Sequence, residues 1–259
     1  MIHSTESSES TTFTDSGNTG HTVNGYADVK HAVAEKKFGT SSIYFGESNQ
    51  HGNYLEVPTH TSFDFGADNH TIEWWQKVAV VNAYPGAGGG ITYGRPSSSN
   101  NGGQSDRNWL IYHQSNGAIQ WYMYGSPGNN IGLAGTTNVC ADLNWHHIAC
   151  VREGGSMKIY VDGTLDATNS SVGTFSMNSI GSAESKITVG TARPNIGNSD
   201  EEFQGWIDEF RISKGARYTS NFTPATSAFT TDSNTVLLIH GDGTGNLFTD
   251  DSYLSLIHI

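Results

Sequence analysis

Positive charge is scarce in this chain. Lys and Arg total 13 against 25 Asp and Glu, a formal net charge of −12. No basic cluster of the kind that neutralises phosphates occurs, which argues against a nucleic-acid partner. The acidic balance is compatible with cation binding, but its first meaning is solubility. Long hydrophobic runs are also missing. No stretch approaches about 18 consecutive apolar residues, the length of a membrane-crossing helix. No charged and apolar leader follows Met1, so no secretory signal is expected. Cysteine is limited to Cys140 and Cys150. A disulfide between them stays open, provided their Cα atoms come within about 7 Å. Cys150 shares strand parity with Ile148 and reads better as a small buried hydrophobe.

Glycine is abundant, at 31 of 259 residues, beside many Ser, Thr and Asn and only 6 Pro. That composition belongs to short strands joined by many turns. An aromatic share of 11% argues against disorder. The length suits one large all-β sandwich.

The clearest signal lies between Trp145 and Gly163. Alternation puts Trp145, His147, Ala149 and Val151 on one face, and His146, Ile148, Cys150 and Arg152 on the other. After Glu153-Gly154-Gly155-Ser156, Met157, Ile159 and Val161 alternate with Lys158 and Tyr160. Asp162-Gly163 then supplies the positive backbone dihedrals of a two-residue hairpin, so a third strand follows at Thr164. This is an antiparallel meander.

Further strands are expected at Ser42 to Phe45, Tyr54 to Val57, Thr71 to Val80, Ile187 to Val189 and Trp206 to Ile212. Asn108 to His113 and Ala118 to Tyr124 form a hairpin across Ser115-Asn116-Gly117. Val29 to Lys37 is the one helix-tolerant window, good for a turn or two. Residues 85 to 107 read as a long Gly, Ser and Asn loop with a strand at Ile91 to Tyr93, and loops of this length are often functional. Near the end, Ile239-His240 and Phe248-Thr249-Asp250 echo Ile2-His3 and Phe13-Thr14-Asp15. Residues 1–232 are expected to form one domain. Residues 233–259 are then its final strand, or the truncated start of a second tandem copy.

Several segments converge in order: Phe63-Asp64-Phe65-Gly66 with Thr71-Ile72-Glu73-Trp74-Trp75, then Trp145 to Ala149, Tyr160-Val161-Asp162-Gly163, and Gly205 to Ile212. This order resembles laminin-G-like domains of the concanavalin A-like lectin/glucanase superfamily. The chain is most similar to the versions on bacteriophage tails, fibres and other virion surfaces. The run from Arg211 to Pro224 is the most specific piece. The resemblance implies an all-β fold, a jelly-roll sandwich of two curved antiparallel sheets. Gln76 departs from it, since relatives place an apolar residue there. A core-facing Gln76 needs hydrogen-bond partners.

Parity groups Asp208 with Trp206, Phe210 and Ile212 on an apparent inward face. A buried carboxylate needs a partner. Two readings stand. Asp208 caps backbone amides of a neighbouring loop, or it holds a structural Ca²⁺, for which the resemblance supplies Asp15 and Asn18 as co-ligands. Catalysis has little support. The glucanases of the superfamily need paired carboxylates on one strand, whereas Asp208 and Glu209 are adjacent and face opposite ways. His146 and His147 also alternate and cannot chelate one metal together.

Sugar binding is the customary use of this fold and needs an aromatic platform with polar groups beside it. Tyr93, Arg95, Trp109, Tyr122 and Tyr124 are the candidates, drawn from the central hairpin and the loop before it. Trp121 shares parity with Ile119 and Met123 and reads as core. The leading expectation is a non-catalytic recognition module, extracellular or on a virion surface, binding a glycan or host-surface polymer. It would touch other virion proteins, but no nucleic acid or membrane. The alternatives are a structural decoration or spacer domain that binds protein, and a glycoside hydrolase with an unrecognised site.

Overall fold

The structure is a computed structural model. It describes residues 20–46, 53–81, 88–94, 107–125, 129–178, 185–191 and 202–242. Alternating side chains and short turns give fifteen strands there: β1 (Asn24–Tyr26), β2 (Lys30–Ala32), β3 (Ser42–Phe45), β4 (Tyr54–Pro58), β5 (His70–Val78), β6 (Gly88–Gly94), β7 (Arg107–His113), β8 (Ile119–Gly125), β9 (Asn129–Ala134), β10 (His146–Glu153), β11 (Ser156–Val161), β12 (Thr164–Asn169), β13 (Lys186–Val189), β14 (Gly205–Lys214) and β15 (Thr235–Ile239). No α-helix occurs among the described residues. The helix-tolerant window at Val29 to Lys37 instead holds β2, which pairs with β3, and a series of bends. Weak helix propensity loses there to strand pairing.

All strand pairs are antiparallel. One sheet runs β1-β4-β13-β6-β7-β8-β9, and the other β12-β11-β10-β5-β14-β3-β2. β15 hydrogen-bonds to β14 beside the segment that β3 leaves free. The predicted meander is β10-β11-β12, and its tight turn has positive φ at both Asp162 (50°) and Gly163 (77°). That pairing of dihedrals matches the right-handed twist of the flanking strands.

The main core lies between the sheets and includes Trp74, Trp109, Trp121, Phe45, Phe203 and Phe210. Cys140 and Cys150 are buried there as free thiols. Gln76 faces this core with its expected partners. The Trp74 indole N–H donates to Gln76 Oε1 at 2.9 Å, and Gln76 Nε2 donates to His113 Nε2 at 2.9 Å. His113 Nδ1–H donates in turn to the Gly89 carbonyl at 3.0 Å. A buried amide is thereby satisfied on both ends.

The outer face of the β10-β5-β14 region is also covered. The connection after β14 packs Ala216, Tyr218 and Phe222 on Ala149, Val151 and Tyr160. Further along, Ala225 and Phe229 join Trp75, Leu238, Phe38 and Trp145. Both faces of β5 and β10 are therefore buried, which is why Glu73 and His147 are out of solvent as completely as Trp74.

Candidate functional site

The two sheets offer different outer surfaces. On the seven-stranded sheet, Trp109 and Ile111 of β7 and Trp121 and Met123 of β8 point into the core. Pairing then places Leu110 opposite Tyr122 and Tyr112 opposite Gln120 on the outer side. Tyr112 and Tyr122 lie with ring centroids 6.3 Å apart and planes 13° from parallel. Tyr124 continues the row, 6.2 Å from Tyr122. Burial pushes the Tyr112 hydroxyl up to about 12, with Tyr122 beside it adding to the shift. Across on β9, Gly132 pairs with Tyr122. A Cβ at Gly132 would lie 2.5 Å from the Tyr122 ring, so only glycine lets that ring lie over β9. The Arg107 guanidinium sits 6.0 Å from the Tyr124 ring centroid. On β1 and β4, Tyr26 and Tyr54 stack at 4.5 Å.

The expected ligand residues divide accordingly. Tyr122 and Tyr124 fall together on this outer face, although Tyr124 is only 6% exposed. Trp109 does not join them. It is 0% exposed in the core, because β7 parity turns it inward with Ile111. Tyr93 is described by its backbone alone, in register between Ile187 and Trp109. Arg95 lies outside the described residues. Tyr112 was legible from the same alternation, since it sits three residues after Trp109 on the opposite face.

Asp208 lies on the other sheet. A β-bulge between Asp208 and Arg211, with Glu209 at φ 56°, breaks the parity of β14. Phe210 and Ile212 point into the core, whereas Asp208 pairs with Trp75 on the outer side. The expectation of an inward Asp208 is thus corrected. Its carboxylate is fully buried under the segment before β3. Oδ2 accepts from the Lys37 and Phe38 amides at 2.9 and 3.1 Å, and Oδ1 from the Glu209 amide at 3.0 Å. Three of roughly four acceptor positions are taken, which is the capping arrangement. Burial pushes the carboxyl up to about 7, against the pull of those amides. Asp15 and Asn18, the expected co-ligands of Ca²⁺, lie outside the described residues. Among the described residues no group of three or more His, Cys, Asp or Glu side chains is placed to hold a metal ion.

The neighbouring buried charges are structural. Glu73 Oε1 accepts from Arg211 Nε at 2.9 Å, while Oε2 accepts from Tyr218 Oη at 2.7 Å and His147 Nε2 at 3.2 Å. Glu209 accepts from the Phe229 amide at 2.6 Å and from His240 Nδ1 at 2.8 Å. His146 turns away from His147, donating from Nδ1 to Asp162 Oδ2 at 2.7 Å and from Nε2 to Asp142 Oδ1 at 3.1 Å. The Asp162 hydrogen bond leads in raising the His146 pKa above the ordinary value.

A laminin G-type family model, described as the concanavalin A-like lectin/glucanases superfamily, matches residues 48–221. Comparison with curated proteins finds no match. Among solved structures, the botulinum neurotoxin serotype D binding domain aligns at TM-score 0.52 and 16% identity, covering 76% of this chain and 43% of that one. The serotype D ligand binding domain in complex with N-acetylneuraminic acid aligns at 0.51 and 14%, covering 76% and 43%. The chain thus spans less than half the length of those toxin domains. A heptameric SAP-like pentraxin from Limulus polyphemus aligns at 0.44 and 15%, covering 74% and 78%. At such identities the likeness to solved structures is one of fold. The two-sheet architecture and the family match over two thirds of the sequence agree, and this chain belongs to the concanavalin A-like lectin/glucanases superfamily.

Proposed function

We propose that this chain is a non-catalytic carbohydrate-binding module, and that it presents the outer face of its seven-stranded sheet to a glycan. The observation that carries this is the row Tyr112, Tyr122 and Tyr124, with Gln120 and Arg107 beside it. Aromatic faces accept the C–H side of a sugar ring, and hydroxyl, amide and guanidinium groups bond its rim. The same fold is seen in a botulinum neurotoxin domain in complex with N-acetylneuraminic acid. The setting we propose is a virion surface, tail fibre or other extracellular appendage, with a host-surface polymer as ligand and copies in tandem. The Arg211–Pro224 run and the terminal sequence echo support that setting.

A glycan array with and without chelator tests the reading. Binding to a defined glycan is expected, with Tyr122→Ala lowering affinity at least about tenfold, a loss of about 1.4 kcal/mol. Dependence on chelator would add a structural Ca²⁺. Binding to no glycan at any Ca²⁺ level would leave a spacer domain that contacts protein. Release of reducing sugar, abolished by changing one carboxylate, would make the chain a glycoside hydrolase.

A further inference from the structure

On the opposite side of the sandwich, beside the covered outer face of the eight-stranded sheet, an open groove of about 480 Å³ is lined by Lys37, Phe38, Trp75, Trp145, Asp162 and residues 224–226. Its size falls within the range of about 300–1,000 Å³ that small-ligand sites occupy. The walls come from segments that are separately fixed. Asp208 holds the Lys37 and Phe38 amides, and the connection after β14 is anchored on Glu73 through Tyr218. We infer that this groove is a second saccharide subsite, with Trp145 as its stacking face and Asp162 as its hydroxyl acceptor.

The chemistry of the lining selects the ligand class. Half-buried Trp145 supplies indole surface, since the Trp75 ring is already covered by the Lys37 ammonium at 3.8 Å. The Trp75 indole N–H has no hydrogen-bond partner among the described residues. Asp162 is a fixed acceptor. Its Oδ1 takes the His147 amide at 2.8 Å and its Oδ2 takes His146, leaving one acceptor position on each oxygen. Desolvation alone would raise its pKa, but the bonds from His146 and the His147 amide outweigh it and keep the carboxyl below its ordinary value. A carboxylate and an ammonium on the same groove offset each other, which disfavours an anionic ligand such as a phosphate. Polar and apolar groups share the lining, which suits a neutral polyol with one C–H face better than a lipid chain. The groove lies across the sandwich from the tyrosine row, so either site can fail alone.

The test is a titration of the full chain with neutral disaccharides (maltose, cellobiose, lactose and chitobiose), followed at the Trp145 indole N–H by ¹H–¹⁵N spectroscopy. A saturable shift with at least one of them is expected. Trp145→Ala, which removes that reporter, should weaken the binding at least about tenfold by titration calorimetry. Trp145 is partly buried, so Thr226→Arg serves as a second variant. Thr226 is exposed, and the larger side chain should plug the groove without removing a packed group. Tyr122→Ala should leave the Trp145 response unchanged even where it abolishes glycan-array binding. Silence of Trp145 with all four sugars would overturn the inference. So would a response that survives Thr226→Arg, or one that disappears with Tyr122→Ala.

Discussion

Glu73→Gln measures how strongly the buried ionic hub holds the connection after β14 onto the sheet. Glu73 is fully buried and Arg211 is 7% exposed. Arg211 approaches Glu73 Oε1 with Nη2 at 2.8 Å as well as with Nε, and Arg217 Nε lies 3.7 Å away. Every group facing the two oxygens is a donor. A glutamine amide nitrogen would therefore meet Arg211 on one side, or Tyr218 and His147 on the other. Arg211 would keep the Thr230 carbonyl at 3.3 Å and the Phe229 ring at 4.0 Å, but would lose its counter-charge. Breaking a buried pair on one side costs about 3–5 kcal/mol, against a total stability of about 5–15 kcal/mol. Urea unfolding followed by tryptophan fluorescence should show that loss as a lower midpoint. The pH dependence has a definite sign. Desolvation alone would raise the Glu73 pKa, but the bonds from His147, Arg211 and Tyr218 outweigh it and lower it. The carboxylate's contribution is present above the unfolded carboxyl pKa and fades as pH falls through the lower folded value. The gap between wild type and variant should be widest near neutral pH and narrow in acid. A loss under about 1 kcal/mol at neutral pH, the size of an exposed pair, would refute the hub.

Asp208 should behave in the opposite sense. Its folded pKa is raised to about 7, so the folded state holds a proton that the unfolded chain has released, and stability falls as pH rises from the unfolded carboxyl pKa through about 7. Asp208→Asn lacks that slope, and its deficit against wild type in chemical unfolding should shrink between mildly acidic and neutral pH. A constant deficit would show a carboxylate ionised throughout. Gly163→Ala places a Cβ 2.0 Å from the Phe222 carbonyl oxygen at φ +77°. That turn also receives the Phe222 amide at 2.9 Å. A cost of about 1–3 kcal/mol is expected from the dihedral alone, read as a fall of several degrees in Tm, and an unchanged Tm would show that the turn adapts.

The scaffold was legible because strand periodicity is written locally. The parity assigned to β10 holds residue by residue, with Ile148 and Cys150 facing the main core and Ala149 and Val151 the other way, and the alternation of Ile72 and Trp74 with Trp75 on β5 follows the same rule. The Asp162-Gly163 turn is likewise a two-residue statement, and both dihedrals are positive. Edge strands were harder to read. β9, Asn129–Ala134, alternates only through Ile131 and Leu133, too short a run to stand out among Asn and Gly, and its place is set by pairing with β8. β1 and β2 have three residues each and take their order from β4 and β3.

The sites were less legible because they depend on what covers a strand. Parity says which side a residue faces, not whether that side is open. Alternation places Tyr122 and Tyr124 together, but it cannot say that Tyr124 is nearly covered or that Gly132 makes room for Tyr122. At β14 even parity fails, since a single residue in a left-handed conformation, Glu209, shifts everything after it to the other face. Asp208, just ahead of the bulge and on the outer side with Trp75, takes two amides from the segment before β3, and so fixes Lys37 and Phe38 beside Trp75. The Trp145 groove is a product of that long-range closure. Lys37, Trp75, Trp145, Asp162 and Ala225 are scattered along the chain and meet only after both sheets have formed. The residues of the Trp145–Gly163 meander therefore serve two ends. Ile148, Cys150 and Ile159 build the core that fixes the strands. Trp145 and Asp162, at its two margins, are left on the groove wall where a ligand can reach them.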